Sequence, residues 1–180
     1  MNQKKYLYKY KKLILFLLVI LITVFLYYVN IKKVDDIIIF VLDTGINNDI
    51  VQGKPVMYDQ DITHGSIVTR VIDKEAPAVK IRPIDVENNG NISKELYRAG
   101  LRSIIRYKKK YPEQRILVNI SLGFDNNDSQ HHGLIKNLKK MGVYIIAAAG
   151  NDSAKKVVYP AGFEETVAVA SATVEGNAEH

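Results

Sequence analysis

The stretch IIIFVLDTGI, Ile37 to Ile46, is an apolar run that ends on Asp43, Thr44 and Gly45. Its first six residues show no polar alternation. They read as a strand buried on both faces, which is how strands of a parallel sheet under helices are written. A carboxylate at the end of such a strand has three readings. It can activate water directly, it can orient an imidazole, or it can simply open a turn.

The residues downstream repeat the pattern. Apolar runs bounded by turn residues predict further strands over Val79–Ile84, Ile116–Ser121, Val143–Ala148 and Thr166–Ser171, with the first over Ile37–Leu42. Between them lie helical periods. THGSIVTRVIDK places Ile67, Val68, Val71 and Ile72 on one face, and SKELYRAGLRSIIRYKKK does the same with Leu96, Ala99, Gly100, Ile104 and Tyr107. Asn91 or Ser93 suits the cap of that second helix, and Pro112 lies beyond its end. SQHHGLIKNLKKMG carries Leu134, Ile135, Leu138 and Met141 as a stripe, with Ser129 as a cap and Gly142 as a stop. Strands alternating with helices predict the α/β class: a mainly parallel sheet with helices on both faces.

In open α/β sheets, sites form beyond the carboxyl ends of the strands. Those positions hold Asp43 after the first strand, Asn119 to Gly123 at the third, and Gly150 and Asn151 after the fourth, while His64 opens the first helix. A carboxylate beside an imidazole fixes its tautomer and stabilises the imidazolium formed when the other nitrogen takes a proton. An amide such as Asn151 can donate to an oxyanion. Taken singly, Asp43 is equally at home in a turn, His64 is more often a cap neighbour or surface residue, and Asn151 is ordinarily loop chemistry. His131 and His132, near the start of a polar-faced helix, read as solvent-facing.

Upstream of Ile37 the chain changes character. The net charge is +6, but residues 1–33 contain seven lysines and no acid, so the rest is close to neutral at −1. The later lysine clusters sit mostly at helix ends, where cations suit the macrodipole, and no nucleic-acid partner is expected. The early lysines frame LILFLLVILITVFLYYV, Leu13 to Val29, which reads as a transmembrane signal anchor with Tyr27 and Tyr28 at the interface. Five lysines before it and two after predict a cytoplasmic N-terminus in a single-pass protein of the cell membrane. The alternative, a cleaved signal peptide, lacks a small-x-small site. The expected organisation is a cytoplasmic basic segment over 1–12, the anchor over 13–29, a linker over 30–36 and an extracytoplasmic domain over 37–180. With no cysteine, disulfides, thiolate metal sites and cysteine nucleophiles are excluded.

Taken in order, the motifs resemble the subtilisin-like serine proteases over roughly residues 37–172. VLDTGI is similar to that family's aspartate motif, THGSIVTRVI to its histidine helix, LVNISLG to its substrate-binding strand and GVYIIAAAGND to the strand leading to its oxyanion asparagine. The resemblance implies a subtilisin-like sheet. It implies Asp43 orienting His64, His64 as general base, Asn151 as oxyanion donor, and Ser121, Leu122 and Gly123 pairing with an extended peptide substrate. The aspartic-protease alternative is disfavoured by the helices, since that fold is almost entirely β.

The family's nucleophile lies in a Gly-Thr-Ser-x-Ala motif, and none of Ser66, Ser93, Ser103, Ser121, Ser129, Ser153 or Ser171 sits in one. The resemblance therefore implies an incomplete catalytic domain over 37–180, with the sheet left apolar on an uncovered face or edge. The nucleophile would then come from a continuation of the chain or from a second chain; otherwise the domain binds peptides without cutting them. No cofactor is implied. No calcium ligand set matches the loop that many relatives carry after the histidine helix, so no metal is expected.

Overall fold

The computed structural model describes residues 14–28, 37–46, 63–151 and 157–172, and the chain divides into two units at Asp36. In the first unit a helix, α1, covers residues 14–28. Fifteen residues of α-helix extend about 22 Å, short of the roughly 30 Å hydrocarbon core of a bilayer. Among the described residues no helix is long and apolar enough to cross a membrane, so the transmembrane helix expected over 13–29 is not found there. Leu13, Val29, the basic segment 1–12 and the linker 30–36 lie outside the described residues.

The second unit is the predicted α/β sheet. Its elements are β1 (Ile37–Asp43), α2 (His64–Glu75), β2 (Lys80–Asp85), β3 (Glu87–Asn88), β4 (Asn91–Ile92), α3 (Lys94–Lys110), β5 (Arg115–Ile120), α4 (Ser129–Lys140), β6 (Tyr144–Ala148) and β7 (Val167–Val169). All five long strands run parallel in the order β2-β1-β5-β6-β7, and β3 and β4 form a separate short hairpin. The strand order reverses at β1, with β2 to one side and β5 to the other. The crevice above that point is where such sheets place ligands. A parallel architecture of this kind is incompatible with the almost all-β aspartic-protease fold.

The continuous apolar run of β1 serves two cores at once. Ile38, Phe40 and Leu42 join Ile116, Val118, Ile120, Ile145 and Ala147 under α3 and α4. Ile39 and Val41 face the other way and pack with Val68 and Ile72 of α2. Because side chains alternate along a strand, only an unbroken apolar sequence can feed both layers. Leu101, fully buried in the α3 layer, is a stringent test of that core. Leu101→Ala is expected to cost about 2–5 kcal/mol, read as a lower urea midpoint at unchanged slope.

The helix stripes differ in detail from expectation. On α2, Val68 and Ile72 pack against the sheet, but Ile67 and Val71 are exposed, and Gly65, Ser66 and Thr69 are buried instead. On α3 the buried face is Tyr97, Gly100, Leu101, Ile104 and Ile105, leaving Leu96 exposed; the stripe is rotated by one residue. Ser93 caps α3 as expected, accepting from the Leu96 N–H at 3.2 Å. The cap of α4 is Asp128 rather than Ser129, its Oδ1 accepting from Gln130 and His131 N–H groups at 2.9 and 3.2 Å. A carboxylate one residue earlier reaches two free amides that a serine inside the helix cannot.

The layer on the α2 side is thinner. Over β6 and β7, Tyr144, Val167 and Val169 are more than half exposed, and on α2 Ile67 and Val71 are about half exposed. Among the described residues this is the uncovered apolar face and edge that the sequence anticipates.

Candidate active site

Asp43 is the last residue of β1 and its side chain is 1% exposed, whereas His64, the first residue of α2, is 61% exposed. Their contact is a single hydrogen bond, His64 Nδ1 to Asp43 Oδ1 at 2.8 Å. An ionised carboxylate can only accept, so Nδ1 carries the proton and Nε2 is left as the ring's free base. The same Oδ1 accepts the Thr44 N–H at 2.7 Å, while Oδ2 is buried with no partner among the described residues. Burial pushes the Asp43 carboxyl above its ordinary range. The His64 and Thr44 hydrogen bonds pull it back in part, and the nearby Asp85 charge adds to the rise.

Two glycines bring the strand and the helix this close. Gly45 has φ +61°, a conformation that L side chains rarely adopt, and it turns the chain immediately after Thr44. Gly65 lies where a Cβ would stand 2.6 Å from the Thr44 carbonyl oxygen and 2.5 Å from an Ile46 carbon, and its N–H donates to that same carbonyl at 2.9 Å. Thr63, which precedes α2, hydrogen-bonds the Gly45 carbonyl through its hydroxyl and lies 2.8 Å from the Ser66 hydroxyl; Ser66 also donates to Gly45 at 3.2 Å. The turn is fixed from the other side by Asp85, whose Oδ1 accepts from the Gly45 N–H at 3.2 Å and the Glu87 N–H at 2.9 Å. Asp85 ends β2 in register with Asp43 at the end of β1.

Gly65, Asp85, Thr63 and Ser66 were not singled out by sequence reasoning. The register of β1 with β2 is the signal that would have found Asp85.

The other expected site residues also lie at the carboxyl edge. Ser121, Leu122 and Gly123 follow directly on the end of β5. Leu122 is buried in the core, and Ser121 accepts from Asn119 Nδ2 at 2.8 Å. Gly123 packs so tightly under Val158 that a Cβ would fall 2.3 Å from it. Among the described residues, no loop hydrogen bond uses the backbone of Ser121, Leu122 or Gly123, while Phe124 next to them pairs in both directions with Tyr159 at 2.8 and 2.9 Å. Asn151 follows Gly150 beyond β6 and is exposed. The strand order β1-β5-β6 sets Asp43, Ser121 and Asn151 at neighbouring strand ends.

One expectation fails outright. His131 is 3% exposed, with its Nε2 2.7 Å from the buried Tyr97 hydroxyl, and burial drives its pKa down to about 4. His132 stacks on Phe163 at 4.1 Å and meets Glu165 at 3.0 Å. Neither ring is solvent-facing as the polar neighbours suggested, because the segment around Phe163 folds over this turn of α4.

Fold and geometry together define an α/β domain built to hold a histidine against a buried carboxylate at the switch point of a parallel sheet. A family model described as the subtilase family matches residues 35–180, and the chain belongs to that family. Solved structures agree in fold. A lanthipeptide protease superposes with TM-score 0.62 at 20% identity over 81% of this chain and 51% of its own. Sphericase gives 0.61 at 22% over 80% and 57%, and the prenylagaramide maturation protease PagA gives 0.59 at 19% over 83% and 61%. The chain thus spans between about half and three fifths of those proteins. No curated protein sequence matches it.

Proposed function

We propose that this domain contributes the Asp43–His64 half of a serine endopeptidase and holds its substrate as an extended strand along Ser121, Leu122 and Gly123. The observation that carries the reading is the 2.8 Å bond from an exposed imidazole to a carboxylate buried to 1%. That arrangement has little structural purpose, since it buries a charge with half its oxygen atoms unpaired. It serves proton transfer well. A serine Oγ attacks the scissile carbonyl carbon, His64 Nε2 takes the hydroxyl proton, and Asp43 stabilises the imidazolium that results. His64 then returns the proton to the leaving amine, and water repeats the cycle on the acyl-enzyme. Asn151 Nδ2 is the proposed donor to the oxyanion.

Four serines of the domain have other duties. Ser66 holds the Gly45 turn, Ser93 caps α3, Ser103 donates to the Gly100 carbonyl and Ser121 accepts from Asn119. By the motif resemblance, the proposed nucleophile sits on a further helix covering the bare apolar face beside α2, on the same side of the sheet as His64. It is supplied by a continuation of the chain or by a second chain. The apolar run over 13–29 and its flanking lysines support the further proposal that the domain is held outside the cell membrane. A second reading, a module that binds peptides without cutting them, is favoured by those engaged serines.

A serine-directed fluorophosphonate separates the two readings. The form or complex that contains the nucleophile should label rapidly, and His64→Ala should suppress labelling. Undiminished labelling of His64→Ala would overturn the assignment of the base. Peptide binding without labelling in any form would establish the second reading.

A further inference from the structure

A parallel sheet under antiparallel helices collects the starts of its strands and the ends of its helices at one edge, opposite the Asp43–His64 crevice. Here that edge is basic. β2 begins with Lys80 and β5 with Arg115, and their registers set them on either side of Ile37 and Ile38, the first residues of β1. α3 ends on Lys109 and Lys110, and α4 on Lys139 and Lys140. All six side chains are exposed, and none forms an ion pair among the described residues. The acids on this edge, Asp73, Glu75 and Glu113, are outnumbered. The crevice edge has the reverse balance, with Asp43, Asp85, Asp125 and Asp128 against Lys94 and Arg98.

Lysines that end a helix offset its macrodipole, which accounts for α3 and α4 taken singly. It does not account for Lys80 and Arg115, which open strands. Nor does it account for two exposed tyrosines on the same edge, Tyr111 just past α3 and Tyr144 at the start of β6. The Lys110 ammonium stands 5.3 Å from the Tyr111 ring centroid, and the Lys139 ammonium 5.9 Å from that of Tyr144. A lysine over an exposed tyrosine suits a membrane–water interface, where the ring enters the headgroup layer and the ammonium meets phosphate.

We infer that this edge docks on a bilayer containing anionic phospholipid, its cations against the headgroup phosphates and Tyr111 and Tyr144 among the headgroups. The choice of occupant rests on the membrane anchorage proposed above. Only residues 30–36 separate Ile37 in sequence from the apolar run over 13–29, so the chain enters the domain at the edge whose charge complements lipid phosphate. Docked this way, the sheet turns the Asp43–His64 crevice away from the lipid and toward soluble peptides.

The chain has no cysteine, so single substitutions can carry a fluorophore: Ala78→Cys before β2, and Asn126→Cys on the crevice edge. The full 180-residue chain is reconstituted into vesicles of phosphatidylcholine, or of equal parts phosphatidylcholine and phosphatidylglycerol, each with an acceptor-labelled lipid. Energy transfer from the Ala78→Cys probe should rise about twofold in the anionic vesicles and fall back in high salt. The Asn126→Cys probe should show no such rise. Replacing Lys109, Lys110 and Lys140 together by glutamine should abolish the rise, and replacing them by arginine should keep it. Flotation of the vesicles reads anchorage separately. If the chain floats with both kinds of vesicle and no rise occurs, or the rise survives the glutamine replacements, the inference is overturned and the anchorage stands. Flotation with anionic vesicles alone, lost in the glutamine variant, supports the inference and removes the anchorage. The same flotation kept in that variant assigns binding to the N-terminal lysines and overturns the inference. Flotation with neither overturns both. Binding of a duplex oligonucleotide without any response to anionic vesicles would assign the edge to nucleic acid and overturn the inference.

Discussion

Replacing Gly65 by alanine should lower the stability of the domain by about 2–3 kcal/mol, far more than one methyl group costs in an open site. The added Cβ would sit 2.6 Å from the Thr44 carbonyl oxygen, 2.5 Å from Ile46 Cγ1 and 3.0 Å from Asp43 Cβ. The first of these is backbone and cannot swing aside, so α2 has to retreat from the end of β1. Retreat stretches the Gly65 N–H to Thr44 bond and withdraws His64, one residue away, from Asp43. The loss should show both as a lower melting temperature and as a changed imidazole environment in ¹⁵N NMR. Gly133 is the control, because nothing lies within 4 Å of a Cβ placed there in α4. Gly133→Ala should raise stability by up to about 1 kcal/mol, since alanine loses less backbone entropy in a helix. If the two substitutions shifted the melting temperature equally, steric contact at Gly65 would not be what holds helix and strand together.

Asp43→Asn should make the fold more stable while nearly abolishing turnover in a serine-containing form. Burial raises the Asp43 pKa in the folded state above its unfolded value. Between those two values the native state binds the extra proton. The stabilising effect of the carboxyl is therefore fullest below the unfolded pKa and is lost as pH rises through the folded one. At neutral pH the domain thus bears the whole cost of a buried carboxylate whose Oδ2 has no partner among the described residues. An uncharged amide of the same shape removes that cost. It also removes the charge that stabilises the His64 imidazolium, for which a loss of about 10⁴-fold in kcat is expected. Thermal melts from pH 3 to 8 should show the variant's advantage growing with pH. A variant less stable than the parent at neutral pH would mean that Asp43 serves the fold more than it serves the site.

Much of this architecture was legible in the chain. The unbroken run before Asp43 implied a strand buried on both faces, and each of the five sheet strands falls within two residues of its expected ends. Periodicity also located the three helices of the domain. It was less reliable on which face they bury. In α2 the residues against the sheet include Gly65, Ser66 and Thr69, chosen for close approach and hydrogen bonding rather than apolarity. In α4 the buried His131 is satisfied by Tyr97, a residue 34 positions away, and nothing local could announce that partnership. The cap at Asp128 was missed for a simpler reason, since serine and aspartate compete for the same role one residue apart.

The sequence by itself determined the parallel α/β class and the order of its elements, because period and punctuation are local properties, while the pairing of Asp43 with His64 was implied only by the resemblance that the motifs carry when taken in order. Only the tertiary structure decided that Gly65 and Asp85 govern how closely that pair meets, that Lys80 and Arg115 flank the start of β1, and that the α2 side of the sheet is left partly bare. Each of these depends on groups brought together by strand register and helix packing from distant parts of the chain. Distances of that kind are set by the whole fold and are written in no single stretch.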